Sequence, residues 1–103
     1  MAEFVRVAKT ADVPPGQMTA AEVNGQSVIV VNVDGEYFAV GATCTHRGGP
    51  LAEGEVNGDT VTCPWHRGGF NVRSGQPVAL PTTEPVATYR VRVTGSSIEV
   101  APS

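Results

Sequence analysis

Residues 44–70 read CTHRGGPLAEGEVNGDTVTCPWHRGGF and hold both cysteines, both histidines and the single tryptophan of a 103-residue chain. Cys44 and His46 stand two apart, Cys63 and His66 three apart, and Asn57-Gly58-Asp59 supplies a turn between the pairs. The pattern predicts two loops facing each other across a metal site. In an extended loop a Cys and a His two apart point to the same side and are separated by about 6 to 7 Å, twice the rise per residue. That separation suits a dinuclear centre that takes one ligand per iron from each loop. The same four residues, Cys44, His46, Cys63 and His66, also satisfy a tetrahedral zinc site of the two-Cys, two-His kind. Mixed pairs, with one Cys and one His in each loop, favour an asymmetric cluster whose irons differ in ligation.

Composition sets the frame around this stretch. A chain of 103 residues makes one domain with a modest core, near the size at which a bound metal adds useful stability. An apolar share of 41% with 12 Gly and 8 Pro suits many turns rather than a helical bundle, and so favours an all-β fold. A formal charge of −3 argues against nucleic acid as a partner, because a phosphate backbone calls for clustered Lys and Arg. Residues 1–16 show neither a signal-peptide core nor a small-residue cleavage site, so the expectation is a cytoplasmic protein. No apolar run approaches the roughly 18 residues needed to cross a bilayer, and no membrane association is expected. In a reducing compartment, thiolate ligation by Cys44 and Cys63 is favoured over a disulfide between them.

Along the chain, residues 4–8 alternate, with Val5 and Val7 opposed to Arg6, and predict a half-buried strand. Pro14-Pro15-Gly16 ends it. Residues 17–23 are too short for a stable helix and are assigned to a strand. Asn24-Gly25 and Asp34-Gly35 are hairpin signals that bracket a strand, Val28-Ile29-Val30-Val31-Asn32-Val33, apolar on both faces as at the centre of a sandwich or barrel. Residues 36–40 return from the second turn into the Cys44 loop. Ser74-Gly75-Gln76-Pro77 makes another turn, and Pro77, Pro81 and Pro85 make the following segment irregular. Tyr89, Val91 and Val93 then alternate with Arg90 and Arg92 in a one-sided strand, and Ile98 and Val100 close the sheet after a turn.

Cys44-Thr45-His46, followed by Cys63-Pro64-Trp65-His66 with Gly68-Gly69-Phe70 behind it, resembles the signature of Rieske ferredoxins, and Leu51 falls on the same pattern. The likeness extends through the approach strands and the proline-containing segment to Tyr89. It implies an all-β, Rieske-like antiparallel β-sandwich or barrel with a two-loop cluster-binding subdomain. It also implies a single Rieske domain over residues 1–103, cluster-binding loops at about 42–51 and 62–71, and a proline loop at about 77–85. The implied cofactor is a [2Fe-2S] Rieske cluster, with Cys44 and Cys63 on one iron and His46 and His66 on the other. Two His in place of two Cys raise the potential of such a centre.

Neighbouring residues take two readings each. Gly48, Gly49, Gly68 and Gly69 either let amides approach the bridging sulfides or simply serve the turns. Trp65 is read as a hydrophobic lid before a partner contact, Pro81 as the proline-loop residue with Pro77 and Pro85 as rivals, and Arg47 and Arg67 as either cluster-tuning or solvated charges. Two positions depart from the family pattern: Arg67 where glycine is common, and Asn71 where aspartate is frequent.

Respiratory Rieske proteins add a second cysteine pair and hydroxyl donors near the cluster, whereas this chain has two cysteines in all, and Gly68 and Phe70 at the hydroxyl positions. Fewer hydrogen bonds to sulfur lower the potential, towards the roughly −150 mV end of the Rieske range. With both histidines used, no mononuclear iron site remains, so the chain is not itself the oxygenase. The resemblance thus implies a low-potential ferredoxin rather than an enzyme. It would shuttle single electrons from a flavoprotein ferredoxin reductase that uses NAD(P)H to the terminal oxygenase of an aromatic-ring-hydroxylating dioxygenase. The alternative is a Rieske-like small subunit of an assimilatory nitrite reductase.

Overall fold

The computed structural model describes residues 4–23, 25–42, 51–64, 68–79 and 85–102. Ten strands follow one another among them: β1 (Val5–Lys9), β2 (Met18–Val23), β3 (Gln26–Val33), β4 (Glu36–Gly41), β5 (Glu55–Asn57), β6 (Thr60–Thr62), β7 (Gly69–Asn71), β8 (Pro77–Ala79), β9 (Thr88–Thr94) and β10 (Ser97–Pro102). Two short 3-10 turns, Thr10–Asp12 and Leu51–Glu53, complete the regular structure. All strand pairs are antiparallel. The larger sheet has the order β1-β10-β9-β4-β3-β2, and its two edge strands approach one another, so it curls into a nearly closed barrel. The smaller sheet has the order β5-β6-β7-β8 and carries residues on both sides of the second candidate loop.

The expected two-sided strand is β3, and its side chains divide by parity. Val28 and Val30 join Val13, Val23, Ala39, Ile98 and Val100 in the barrel core. Ile29, Val31 and Val33 join Val40, Leu51, Val61, Cys63, Phe70, Val72 and Val86 in a second core between barrel and small sheet. Because successive strand residues face opposite ways, one largely aliphatic run supplies both cores. Each fully buried Val or Ile contributes roughly 1.5–3 kcal/mol relative to exposure.

One position of the run is polar. Asn32 is buried on the barrel side, where its Nδ2 donates to the Val13 carbonyl at 2.7 Å and its Oδ1 accepts from the Gly35 amide at 2.8 Å. Its backbone accepts from Gly16 at 2.9 Å and donates to Gln17 at 3.0 Å, so a single residue fixes the proline turn and the next hairpin together. That hairpin is the tight turn expected of Asp34-Gly35, with φ of 51° and 95° and Val33 opposite Glu36. Asn24 lies outside the described residues, but Val23 opposite Gln26 gives its hairpin the expected register.

Of residues 17–23, assigned to a strand, Met18–Val23 form β2. In β9, Tyr89 and Val91 face the barrel core and Arg90 and Arg92 the solvent; the alternation fades at Val93, which is 47% exposed near the end of the hairpin. The segment after Ser74-Gly75-Gln76 is more regular than its prolines suggest. Pro77–Ala79 pairs with β7 as an edge strand, where a residue without an amide donor is tolerated. The remainder of the expected proline loop, residues 80–84, lies outside the described residues.

Replacing the buried Asn32 by alanine removes the side-chain partner of both the Val13 carbonyl and the Gly35 amide. We expect Asn32→Ala to destabilise the barrel by about 1–3 kcal/mol, read as a lower midpoint in denaturant unfolding followed by far-ultraviolet circular dichroism.

Candidate metal centre

The two predicted loops are held by closed stems. The first, residues 43–50, is pinched at its base where the Leu51 amide donates to the Ala42 carbonyl at 2.9 Å. The second, residues 64–67, is pinched where the Cys63 amide donates to the Gly68 carbonyl at 2.7 Å. Of the four candidate ligands the described residues include Cys63; Cys44, His46 and His66 lie outside them, as do Arg47, Gly48, Gly49, Trp65, Arg67 and Pro81. Gly68 and Gly69 are described, and both belong to the hairpin: Gly68 closes the loop and Gly69 opens β7 opposite Thr62.

Cys63 follows the last residue of β6 and is wholly buried, in the same apolar layer as Leu51, Val61 and Phe70. A thiolate in such surroundings is costly unless a metal shares its charge. This burial fits a ligand role: the sulfur is shielded from water while the hairpin carries the chain on to His66, a borderline-soft donor. Two thiolates and two imidazoles are a donor set that an iron–sulfur centre of mixed ligation takes. Beside Cys63 lies a cavity of about 200 Å³, lined by Glu53, Gly54, Glu55, Thr62, Cys63 and Pro64.

The stems touch through backbone. Leu51–Glu53 makes a tight turn that ends with the Gly54 amide donating to the Leu51 carbonyl at 3.0 Å, and Gly54 packs directly on the carbonyl of Thr62. The small sheet is stitched to the barrel on its far side too. Val86 donates to the Gly75 carbonyl at 2.8 Å, and Gly41 to the Ala87 carbonyl at 2.9 Å, so the segment entering β9 bridges both sheets. Gly54 is a residue that sequence reading overlooked; the close of a Leu-Ala-Glu-Gly turn is its one local sign.

Asn71, a departure from the family pattern, has a structural account. Its Oδ1 accepts from the amides of Arg73 at 2.8 Å and Ser74 at 3.2 Å, fixing the turn between β7 and β8. Its Nδ2 donates to Asp59 Oδ2 at 3.3 Å. An aspartate could make the first two bonds but would set two carboxylates against each other in the third. Arg73 completes the group, within 3.6 Å of Asp59, within 3.7 Å of Glu36 and 4.8 Å from the centre of the Phe38 ring. Its charges are exposed, so these pairs orient the turn more than they stabilise it.

Known proteins resemble this chain over most of its length. The family model for the Rieske [2Fe-2S] domain matches residues 3–90. The biphenyl dioxygenase ferredoxin subunit of Pseudomonas sp. (strain KKS102) is 38% identical over 98 residues, which is 94% of this chain and 90% of that one. The solved ferredoxin of carbazole 1,9a-dioxygenase from Nocardioides aromaticivorans IC177 is 39% identical with a TM-score of 0.92, covering 97% of this chain and 98% of that one. A chain in the complex of reduced oxygenase and oxidized ferredoxin in carbazole 1,9a-dioxygenase is 33% identical with a TM-score of 0.89, over 95% of this chain and 92% of that one. A putative nitrite reductase NADPH small subunit, at 20% identity, TM-score 0.80 and coverage of 95% and 97%, shares the fold alone.

The Asn71 contacts predict that Asn71→Asp costs about 0.5–1 kcal/mol through repulsion with Asp59. Adding Asp59→Asn should restore most of the loss. Thermal or denaturant unfolding of the two single variants and the double variant measures that coupling.

Proposed function

The chain belongs to the Rieske [2Fe-2S] domain family, and from that premise we propose that it is the ferredoxin component of an aromatic-ring-hydroxylating dioxygenase system. It takes single electrons from a flavin-containing, NAD(P)H-dependent reductase and delivers them to the terminal oxygenase. The observation that carries this reading is near full-length likeness, at 38% and 39% identity, to proteins named as ferredoxins of such systems. The solved complex of oxygenase and ferredoxin in a related system supports the oxygenase as one partner. For the small-subunit role in nitrite reduction, the 20% likeness offers only a shared fold.

The resident group of the family is a [2Fe-2S] cluster, which when bound holds one electron at a time. Cys44 and Cys63 would hold one iron and His46 and His66 the other. What this chain contributes is enclosure and tuning. The buried stem keeps water from the Cys63 sulfur, and the pinched bases at residues 42 and 51 and at residues 63 and 68 hold the ends of each loop together. Phe70 is fully buried in the same layer as Cys63 and carries no hydroxyl, so it gives the sulfurs no hydrogen bond. That supports a potential near the low end of the Rieske range. A net charge of −3, before any cluster charge, steers the protein towards basic patches on its partners. Among the described residues no helix is long and apolar enough to cross a membrane, and a cytoplasmic location is part of the proposal.

Purified protein should be red-brown, with iron and acid-labile sulfide in equal amounts and a rhombic paramagnetic signal on reduction. Stoichiometric zinc without that signal would contradict the ligand assignment. Cys63→Ser should lose the visible spectrum altogether. In stopped flow, the reduced protein should be reoxidised in one-electron steps by the oxygenase of an aromatic-ring dioxygenase; failure to do so would refute the role. Phe70→Tyr, which places a hydroxyl in the layer beside Cys63, should raise the midpoint in a redox titration, and an unchanged or lowered value would count against the hydrogen-bond account.

A further inference from the structure

Resting on the Rieske reading above, we infer that Gly54 is a positioning residue for the cluster, a backbone spacer that sets the distance between the two ligand loops. Gly54 ends the turn that begins at Leu51, and the Leu51 amide closes the first loop on Ala42. Thr62 ends β6 one residue before Cys63, whose amide closes the second loop on Gly68. The two stems therefore meet where the α-carbon of Gly54 lies against the carbonyl of Thr62, at the start of the β5–β6 pairing of Glu55 with Thr62.

A Cβ at residue 54 would overlap the Thr62 carbonyl oxygen, lie 3.0 Å from the Thr62 carbonyl carbon and 3.2 Å from the Leu51 carbonyl oxygen. All three obstacles are backbone, and none can rotate away as a flexible side chain would. To admit even one methyl group the stems must part by a distance on the order of an ångström. Metal–ligand bonds tolerate about 0.2 Å. Separation at Gly54 is thus passed to Cys63, the next residue beyond the obstructed carbonyl, and to the loop that bears Cys44 and His46. The barrel core lies on the other face of β3 and shares no residue with this contact, so it keeps its own packing. The flanking Glu53 and Glu55 are exposed and leave the spacing to Gly54 itself.

The test compares the intact holoprotein with Gly54→Ala and with Val100→Ala. Val100 is fully buried in the barrel core, so its truncation lowers stability without touching the stems or the layer around Cys63. The measurements are iron per folded chain, the g-values of the reduced protein, the midpoint potential and the melting temperature. Val100→Ala is expected to melt earlier while keeping the parental iron content, g-values and midpoint. Gly54→Ala is expected to keep a folded barrel but lose iron several-fold, and its remaining loaded fraction should show shifted g-values and a shifted midpoint. Parental iron, g-values and midpoint in Gly54→Ala would overturn the inference. The same spectroscopic change in Val100→Ala would overturn it too, as would failure of Gly54→Ala to fold, since the contact would then serve stability in general. If the parent protein itself lacks a [2Fe-2S] signal, the family cofactor reading fails first and the inference falls with it.

Discussion

A strand can bury both faces only if each face finds its own core, and β3 does this with consecutive aliphatic residues. Val28 and Val30 turn into the barrel, while Ile29, Val31 and Val33 turn towards the small sheet that carries Cys63. The two cores therefore share one strand. Leu51, Val61, Phe70 and Val72 gain a rigid apolar surface to pack on, which four short strands alone would lack. Asn32 is the polar exception: its side chain is paid for with hydrogen bonds that order the turn at residues 13–17 and the β3–β4 hairpin.

On that surface the candidate centre is built from stems rather than from isolated side chains. Each loop is pinched by one short backbone hydrogen bond, the stems touch at Gly54 and Thr62, and Cys63 is lodged in the apolar layer beneath. Two pinched stems in backbone contact bring the ends of both loops together, in a chain that belongs to the Rieske [2Fe-2S] domain family. The flexible polar groups stand at the margin: Asp59, Asn71 and Arg73 lock the turn after β7 and leave the buried layer apolar.

Much of this was legible in the residues, for physical reasons that differ from place to place. Asp34-Gly35 announces its turn because few other residues accept positive φ, and the alternation around Arg90 and Arg92 announces a strand with one face in water. Of the proposed ligand pairs, Cys63 lies among the described residues, and its burial fits the role the spacing suggests. The strands of the small sheet were not. Glu55–Asn57, Thr60–Thr62, Gly69–Asn71 and Pro77–Ala79 are three residues each, too short for a period to show, and they are strands by virtue of pairing rather than propensity. Gly54 was hidden for a related reason. Its importance lies in the closeness of Thr62, eight residues along, and no local pattern records a long-range backbone contact. Asn71 showed only as a departure from a family habit until Asp59 appeared at its side.

The central claim is that one iron is held by two thiolates and the other by two imidazoles. Pulsed electron paramagnetic resonance of the reduced protein reads it most directly, through the couplings of nitrogens bound to the cluster. The account predicts two strongly coupled histidine nitrogens, with one set lost in any loaded His46 or His66 variant. A spectrum with no strongly coupled nitrogen, or with a single one in the parent protein, would contradict it.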